Sequence, residues 1–173
     1  RRRLGGGAPS PRALPSGRGG ELVERTVRDL RVGDVITEDG RDFLCEGTVS
    51  YDEAGHRWVG ARLVDGDTVT WLYAGIERSG GEPVRLLTLD DGRDVAGHPA
   101  ATIVVGDVRY TQDRQGTATC KLVGDLGGLG GLAAGRMAEH AERCRWWLYN
   151  APGDATLLVE QWGSDYRVLR GRK

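Results

Sequence analysis

Apolar and polar residues alternate along most of this chain in short runs, each cut by an Asp-Gly or similar turn. Leu30, Val32, Val35 and Ile36 flank Gly33-Asp34 and predict a first strand leading into a hairpin at Glu38-Asp39-Gly40. A second strand is expected over 42–51, followed by a turn at 52–55. Over 56–64, Val59, Ala61 and Leu63 alternate with Trp58, Gly60 and Arg62, the period of two that marks a half-buried strand. Asp65-Gly66-Asp67 predicts the next hairpin, after which Val69, Trp71 and Tyr73 share one face. Further strands are expected at 83–89, 102–110 and 117–123. A glycine-rich stretch over 124–135 then leads into an amphipathic helix over 132–144, and strands at 145–149, 155–162 and 166–169 end the chain. Many short strands with frequent turns predict a mostly-β fold, a small barrel or sandwich of short antiparallel strands with one short helix.

A weak internal repeat runs through this pattern. Arg57-Trp58, Gly66-Asp67 and the strand at 69–73 recur in order as Arg145-Trp146, Gly153-Asp154 and the strand at 155–159. An apolar run with a cysteine lies upstream of each, at Phe43-Leu44-Cys45 and Ala118-Thr119-Cys120. Two related β-units packed face to face account for this. So does the general likeness of one β-meander to another.

Composition changes the picture in three ways. With one Phe and one Met, the aromatic core rests on five Trp and five Tyr. Residues 1–20 hold five of the 24 basic residues (Arg1, Arg2, Arg3, Arg12, Arg18) and none of the 25 acidic ones, leaving 19 against 25 in the remainder. Such an acidic body argues against a nucleic-acid partner, which needs a basic face. Residues 1–25, rich in Arg, Gly and Pro and without apolar periodicity, are expected to be a disordered tail or linker, and residues 26–173 a single β-rich domain. Cys45, Cys120 and Cys144, an odd number without CxxC spacing, are expected as free thiols in a reducing, cytoplasmic setting. No run of 18 apolar residues predicts a membrane span. A peripheral attraction of the arginines to anionic lipid is worth about 1 kcal/mol for each one held near the surface.

The ordered series Val32-Gly33-Asp34, Asp39-Gly40, Phe43, Gly47, Tyr51, Trp58, Leu63 and Trp71-Leu72 continues with Arg145-Trp146, Tyr149, Leu157-Leu158, Glu160, Trp162-Gly163 and Tyr166. Over residues 30–171 it resembles an uncharacterised bacterial family catalogued as domain of unknown function 4178. The resemblance implies a β-rich domain without an assigned activity. It also implies accessory proteins encoded near small membrane proteins and polyamine-synthase-like enzymes. The chain departs from the family pattern between Gly124 and Ala141, where a longer Gly/Ala-rich stretch stands.

Several residues invite a chemical reading, each beside a plainer one. Gly128, Gly130 and Ala133 match the dinucleotide fingerprint G-x-G-x-x-A between a strand and a helix, where the glycines let a pyrophosphate approach the backbone. That unit needs a second parallel strand ending in an acid, whereas 145–149 ends at Asn150, so a glycine-rich loop is the simpler reading. His140 and Cys144, four apart on the expected helix, share a face suited to a metal, but two ligands do not make a site. His98 with Asp94, or Cys120 as nucleophile, lacks any catalytic motif. Glu160, in an apolar strand, is either a buried acid–base group or a carboxylate paired with Arg145 or Arg167.

Tyr51, Trp58, Trp71, Tyr73 and Trp162 are the best candidates for a partner-binding surface, though most of these rings must be core. No catalytic group, cofactor or metal is assigned. The sequence is read as a non-enzymatic accessory module of a bacterial cytoplasm, acting through contacts with an unidentified protein partner, a membrane-associated system being one option for it. The alternatives are a nucleotide or cofactor binder built on residues 128–133 and a small-barrel nucleic-acid binder with Arg62, Arg78 and Arg85 on one face.

Overall fold

The structure, a computed structural model, describes residues 27–77, 84–91, 93, 95, 97–129 and 140–173, the side chains of residues 140 and 141 aside. Ten strands follow in order: β1 (Val35–Glu38), β2 (Arg41–Glu53), β3 (His56–Asp65), β4 (Thr68–Ala74), β5 (Arg85–Leu89), β6 (Thr102–Val105), β7 (Val108–Gly124), β8 (His140–Asn150), β9 (Ala155–Trp162) and β10 (Asp165–Arg172). Strands β1 to β5 form one antiparallel meander and β6 to β10 another. Pairings β5–β10 and β2–β7 join the two edge to edge. The circuit β2-β3-β4-β5-β10-β9-β8-β7 therefore returns to β2 as a closed eight-stranded antiparallel barrel. β1 and β6 pair with the initial segments of the long strands β2 and β7.

Local chemistry sets the hairpins. Asp39 and Gly40 have φ of 48° and 74°, so both turn residues are left-handed, the geometry whose twist matches that of the flanking strands. Period-two alternation then sorts side chains between three apolar clusters. The barrel interior holds Tyr51, Trp58, Trp71, Tyr73, Trp146 and Trp162 among others. Outside, Val27, Leu30 and Ile36 cover Ala61, Leu63 and Leu72, while Val105 and Ile103 cover Trp147, Tyr149 and Val159. Strand β9 reads as an unbroken apolar run because it is buried on both faces. Leu158 and Trp162 fill the barrel, and Leu157 and Val159 pack outside it.

The two meanders repeat one plan, so the expected pair of related units is present, joined edge to edge rather than face to face. Val35 lies opposite Leu44 as Thr102 lies opposite Thr111. Each long strand then carries a one-residue bulge, at Glu46 and at Asp113. Extending this register along the hairpins matches Phe43 with Tyr110, Ala61 with Trp147, Leu63 with Tyr149 and Leu72 with Val159, all in the outer clusters. The residue correspondence suggested by the sequence is shifted. Cys45 matches Gln112 rather than Cys120, and Trp146 matches Gly60 rather than Trp58.

Two expected elements are corrected. The strand at 102–110 is a hairpin, β6–β7, turning at Gly106-Asp107, and β7 absorbs the separate strand expected at 117–123. The helix over 132–144 ends differently as well. Residues 140–144 are strand, pairing with β7, with Cys144 and Trp146 inward and Arg143 and Arg145 outward. Residues 130–139, and the expected tail at 1–25, lie outside the described residues. Among the described residues no helix is long and apolar enough to cross a membrane.

Candidate functional site: a buried carboxylate network beneath an open cleft

Glu160 is the centre of the barrel's polar chemistry. It sits on β9 with no exposed surface, opposite Trp146 on β8 and opposite Arg167 on β10. The hairpin turn at Gly163-Ser164 pairs Trp162 with Asp165, and that register brings Glu160 and Arg167 face to face. Arg167 donates to Glu160 Oε1 from Nε (2.9 Å) and Nη2 (2.6 Å), and its guanidinium lies 4.2 Å from the centre of the Trp71 ring.

Two tyrosines reach the same carboxylate from the other meander. The Tyr73 hydroxyl donates to Oε1 at 2.8 Å and accepts from Arg167 Nη2 at 2.8 Å. The Tyr51 hydroxyl donates to Oε2 at 2.5 Å, and the Cys144 thiol approaches the same oxygen at 3.5 Å. Gly60 makes room for this convergence, since a Cβ there would lie 2.9 Å from Tyr73 Cε1. Two bonds from Arg167 and one from each tyrosine thus engage the carboxylate, while the single Cys144 S–H lies closer to the Arg145 carbonyl oxygen, at 3.3 Å, than to Oε2.

The electrostatics follow from burial. Desolvation, reinforced by the charge of Glu160, pushes the Tyr51 hydroxyl well above its ordinary pKa, and desolvation does the same to Tyr73 and Cys144. For Arg167, burial is the largest single influence and favours proton loss. The charge of Glu160, to which Arg167 is hydrogen-bonded, leads the opposing influences, and the guanidinium is held more firmly protonated than usual. A second buried cation, Arg85, donates to Glu77 Oε1 at 2.6 Å and to the Thr156 hydroxyl at 3.3 Å.

Arg167, 12% exposed at its side chain, is where this network meets the outside. It forms part of the wall of an open cleft of about 200 Å³. The cleft is lined by residues 126–129 of the glycine-rich loop, by Leu89 and Asp91, and by Trp162 and residues 165–167. Leu126 and Leu129 also belong to the barrel's interior cluster, so the glycine-rich loop stops the barrel mouth with its leucines.

The chain matches the family described as Domain of unknown function (DUF4178) over residues 31–173. It belongs to this family. No curated protein and no solved structure matches it.

Against this family's barrel the sequence-predicted sites sort clearly. The dinucleotide reading of Gly128, Gly130 and Ala133 required a parallel strand after the loop. β8 instead returns antiparallel to β7, so the βαβ unit that would seat a pyrophosphate is absent from the sheet. Gly128 has φ of 84° and lines the cleft, while Gly130 and Ala133 lie outside the described residues. His140 and Cys144 are on a strand, where four residues span about 13 Å, too far apart to share one ion. Among the described residues no group of three His, Cys, Asp or Glu is arranged for a metal.

His98 is exposed and meets the edge of Trp147, in the outer cluster and apart from the barrel interior, while Asp94 lies outside the described residues. Cys120 is buried. Tyr51, Trp58, Trp71, Tyr73 and Trp162 are all barrel interior, at most 4% exposed, because the shortage of Phe leaves Trp and Tyr to fill it. Of the five, Trp162 alone lines the cleft. Of the partners considered for Glu160, Arg167 takes the role, and Arg145 lies over the Trp147 ring, in the outer cluster. Arg62 pairs with Glu46 and Arg85 with Glu77, so neither contributes to a basic face; Arg78 lies outside the described residues. The convergence of Tyr51 and Tyr73 on Glu160 went unseen, because it depends on barrel closure between residues 109 and 87 positions apart.

Proposed function

We propose that this chain is a non-enzymatic binding module, acting through contacts with a partner protein in a bacterial cytoplasm, and that the partner docks at the cleft beside Arg167. One observation carries the reading: the carboxylate best suited to acid–base chemistry is sealed inside the barrel. Glu160 is fully buried and held by four hydrogen bonds from Arg167, Tyr51 and Tyr73, so its oxygens are not presented to a substrate. The network acts as a fixed floor, and recognition falls to the leucines, aromatics and carboxylates above it. Three buried free thiols fit a reducing compartment. We place that partner, as part of the same proposal, in a membrane-associated system.

The test is co-purification of the tagged full chain from its own host, beside a Leu89→Arg variant. Leu89 is 42% exposed on the cleft rim, so the change alters the surface and spares the core. A stoichiometric protein partner should accompany the wild type and be lost from Leu89→Arg at unchanged thermal stability. A partner retained equally by both, or a bound nucleotide in place of a protein, refutes the docking reading.

A further inference from the structure

The cleft's dimensions and walls describe its occupant. At about 200 Å³ it falls below the roughly 300–1,000 Å³ of pockets that take drug-sized ligands, and matches the scale of a single side chain. We propose that it receives one arginine or lysine side chain presented by the partner protein, a proposal that rests on the docking reading above.

Its walls suit a long basic side chain along its whole length. Leu89, Leu126 and Leu129 offer apolar surface to the aliphatic stem. Asp91 and Asp165, both exposed on the rim, offer carboxylates to the charged head, and neither has an ion-pair partner among the described residues. The resident cation does not oppose this. Arg167 is committed to Glu160 at 2.6 Å and to the Tyr73 hydroxyl at 2.8 Å, and its guanidinium lies over Trp71. With that pair internally neutral, the two rim carboxylates set the sign of the cleft.

A separate observation points the same way. Trp162 lines the cleft, and its indole ring is a favourable neighbour for a guanidinium or ammonium. An acidic segment gains neither the carboxylates nor the ring.

The experiment is an NMR titration of the full ¹⁵N-labelled chain with three capped pentapeptides that differ only in a central Arg, Lys or Glu, the Trp162 indole resonance being identified with Trp162→Phe. The Arg and Lys peptides should shift that resonance, and the Glu peptide should leave it in place. An Asp91→Asn/Asp165→Asn variant should bind the basic peptides about tenfold more weakly. The proposal is overturned if the Glu peptide binds equally, if the double variant is unaffected, or if no peptide moves Trp162. It is overturned too if the Arg peptide binds only to a full chain carrying Arg1→Ser, Arg2→Ser, Arg3→Ser, Arg12→Ser and Arg18→Ser, since the occupant is then the chain's own arginine-rich segment. The host co-purification separates this proposal from the docking reading. A partner lost from Leu89→Arg but retained by Asp91→Asn/Asp165→Asn leaves docking standing and removes the basic side chain; a partner retained by Leu89→Arg removes both.

Discussion

Glu160 and Arg167 each justify the other's burial. A lone charge in this interior is costly, and breaking a buried pair by removing one member typically costs about 3–5 kcal/mol, whereas replacing both with apolar groups is far milder. Glu160→Leu should therefore fall in that range, because it strands Arg167 and takes the acceptor from Tyr51 and Tyr73. Arg167→Leu added to it should recover part of the loss. Urea midpoints decide the matter, and a double variant as unstable as the sum of its singles shows that the pair is uncoupled.

Proton linkage gives a second residue-scale prediction. Burial raises the Cys45 thiol from 9.0 to about 12 and the Tyr149 hydroxyl from 10.0 to about 12, and lifts Tyr51, Tyr73 and Cys144 as well. Each group holds its proton more tightly folded than unfolded. The stability it contributes is intact below the unfolded value and lost as pH climbs toward the folded one. Melting temperature should hold to about pH 9 and fall steadily from there to 12. A flat profile through pH 11 contradicts this assignment. The Glu160–Arg167 pairing was half legible in the sequence, because a two-residue turn at Gly163-Ser164 fixes which residues of 155–162 and 165–172 face each other. The tyrosines were not, since alternation along a strand marks Tyr51 and Tyr73 as core rings or surface anchors and does not say which polar group their hydroxyls meet.

At the scale of elements, turns were the readable part. The Asp-Gly pairs and the period of two located most of the strands and nearly all of their hairpins. The misreadings have physical causes. Gly106-Asp107 was passed over as a turn because the apolar run on both sides of it looks continuous. The first five residues of β8, 140–144, were taken for the end of a helix because His140 and Cys144 fit a helical spacing as well as a strand face, while 145–149 was read as strand. Gly60 shows what alternation conceals. It occupies an interior position of β3 where Tyr73 and Tyr51 crowd the missing Cβ at 2.9 and 3.4 Å. The Tyr73 ring cannot swing aside without giving up its bonds to Glu160 and Arg167. Gly60→Ala should therefore cost about 1–3 kcal/mol despite the better strand propensity of alanine. Gly40→Asn, at an open left-handed turn position with nothing within 4 Å, should be close to neutral. Similar losses for the two in denaturant melts refute the crowding argument.

For the whole molecule, closure is the property no local pattern announces. The repeat was visible, but that its halves join edge to edge depends on β2–β7 and β5–β10, pairings between distant segments. Every closing contact therefore lies between the meanders, and either one alone leaves its share of the interior Trp and Tyr open to water. The polar network also crosses that divide: Tyr51 and Tyr73 come from the first meander, Glu160, Arg167 and Cys144 from the second. Fragments 1–96 and 97–173 should thus fail to fold separately and reassemble when mixed in equal amounts, recovering native tryptophan emission and far-ultraviolet dichroism. Tyr51→Phe with Tyr73→Phe in the first fragment should weaken that reassembly by about tenfold or more, since each hydroxyl lost leaves the fully buried Glu160 less satisfied. The informative contrary result is a first fragment that forms a stable homodimer, closing its own β2 and β5 edges against a copy. The shared plan of the two meanders makes that geometry available, but the copy brings tyrosine in place of Glu160. If it competes with the heterologous partner, edge pairing alone closes this barrel, and the carboxylate network is not what selects one half for the other.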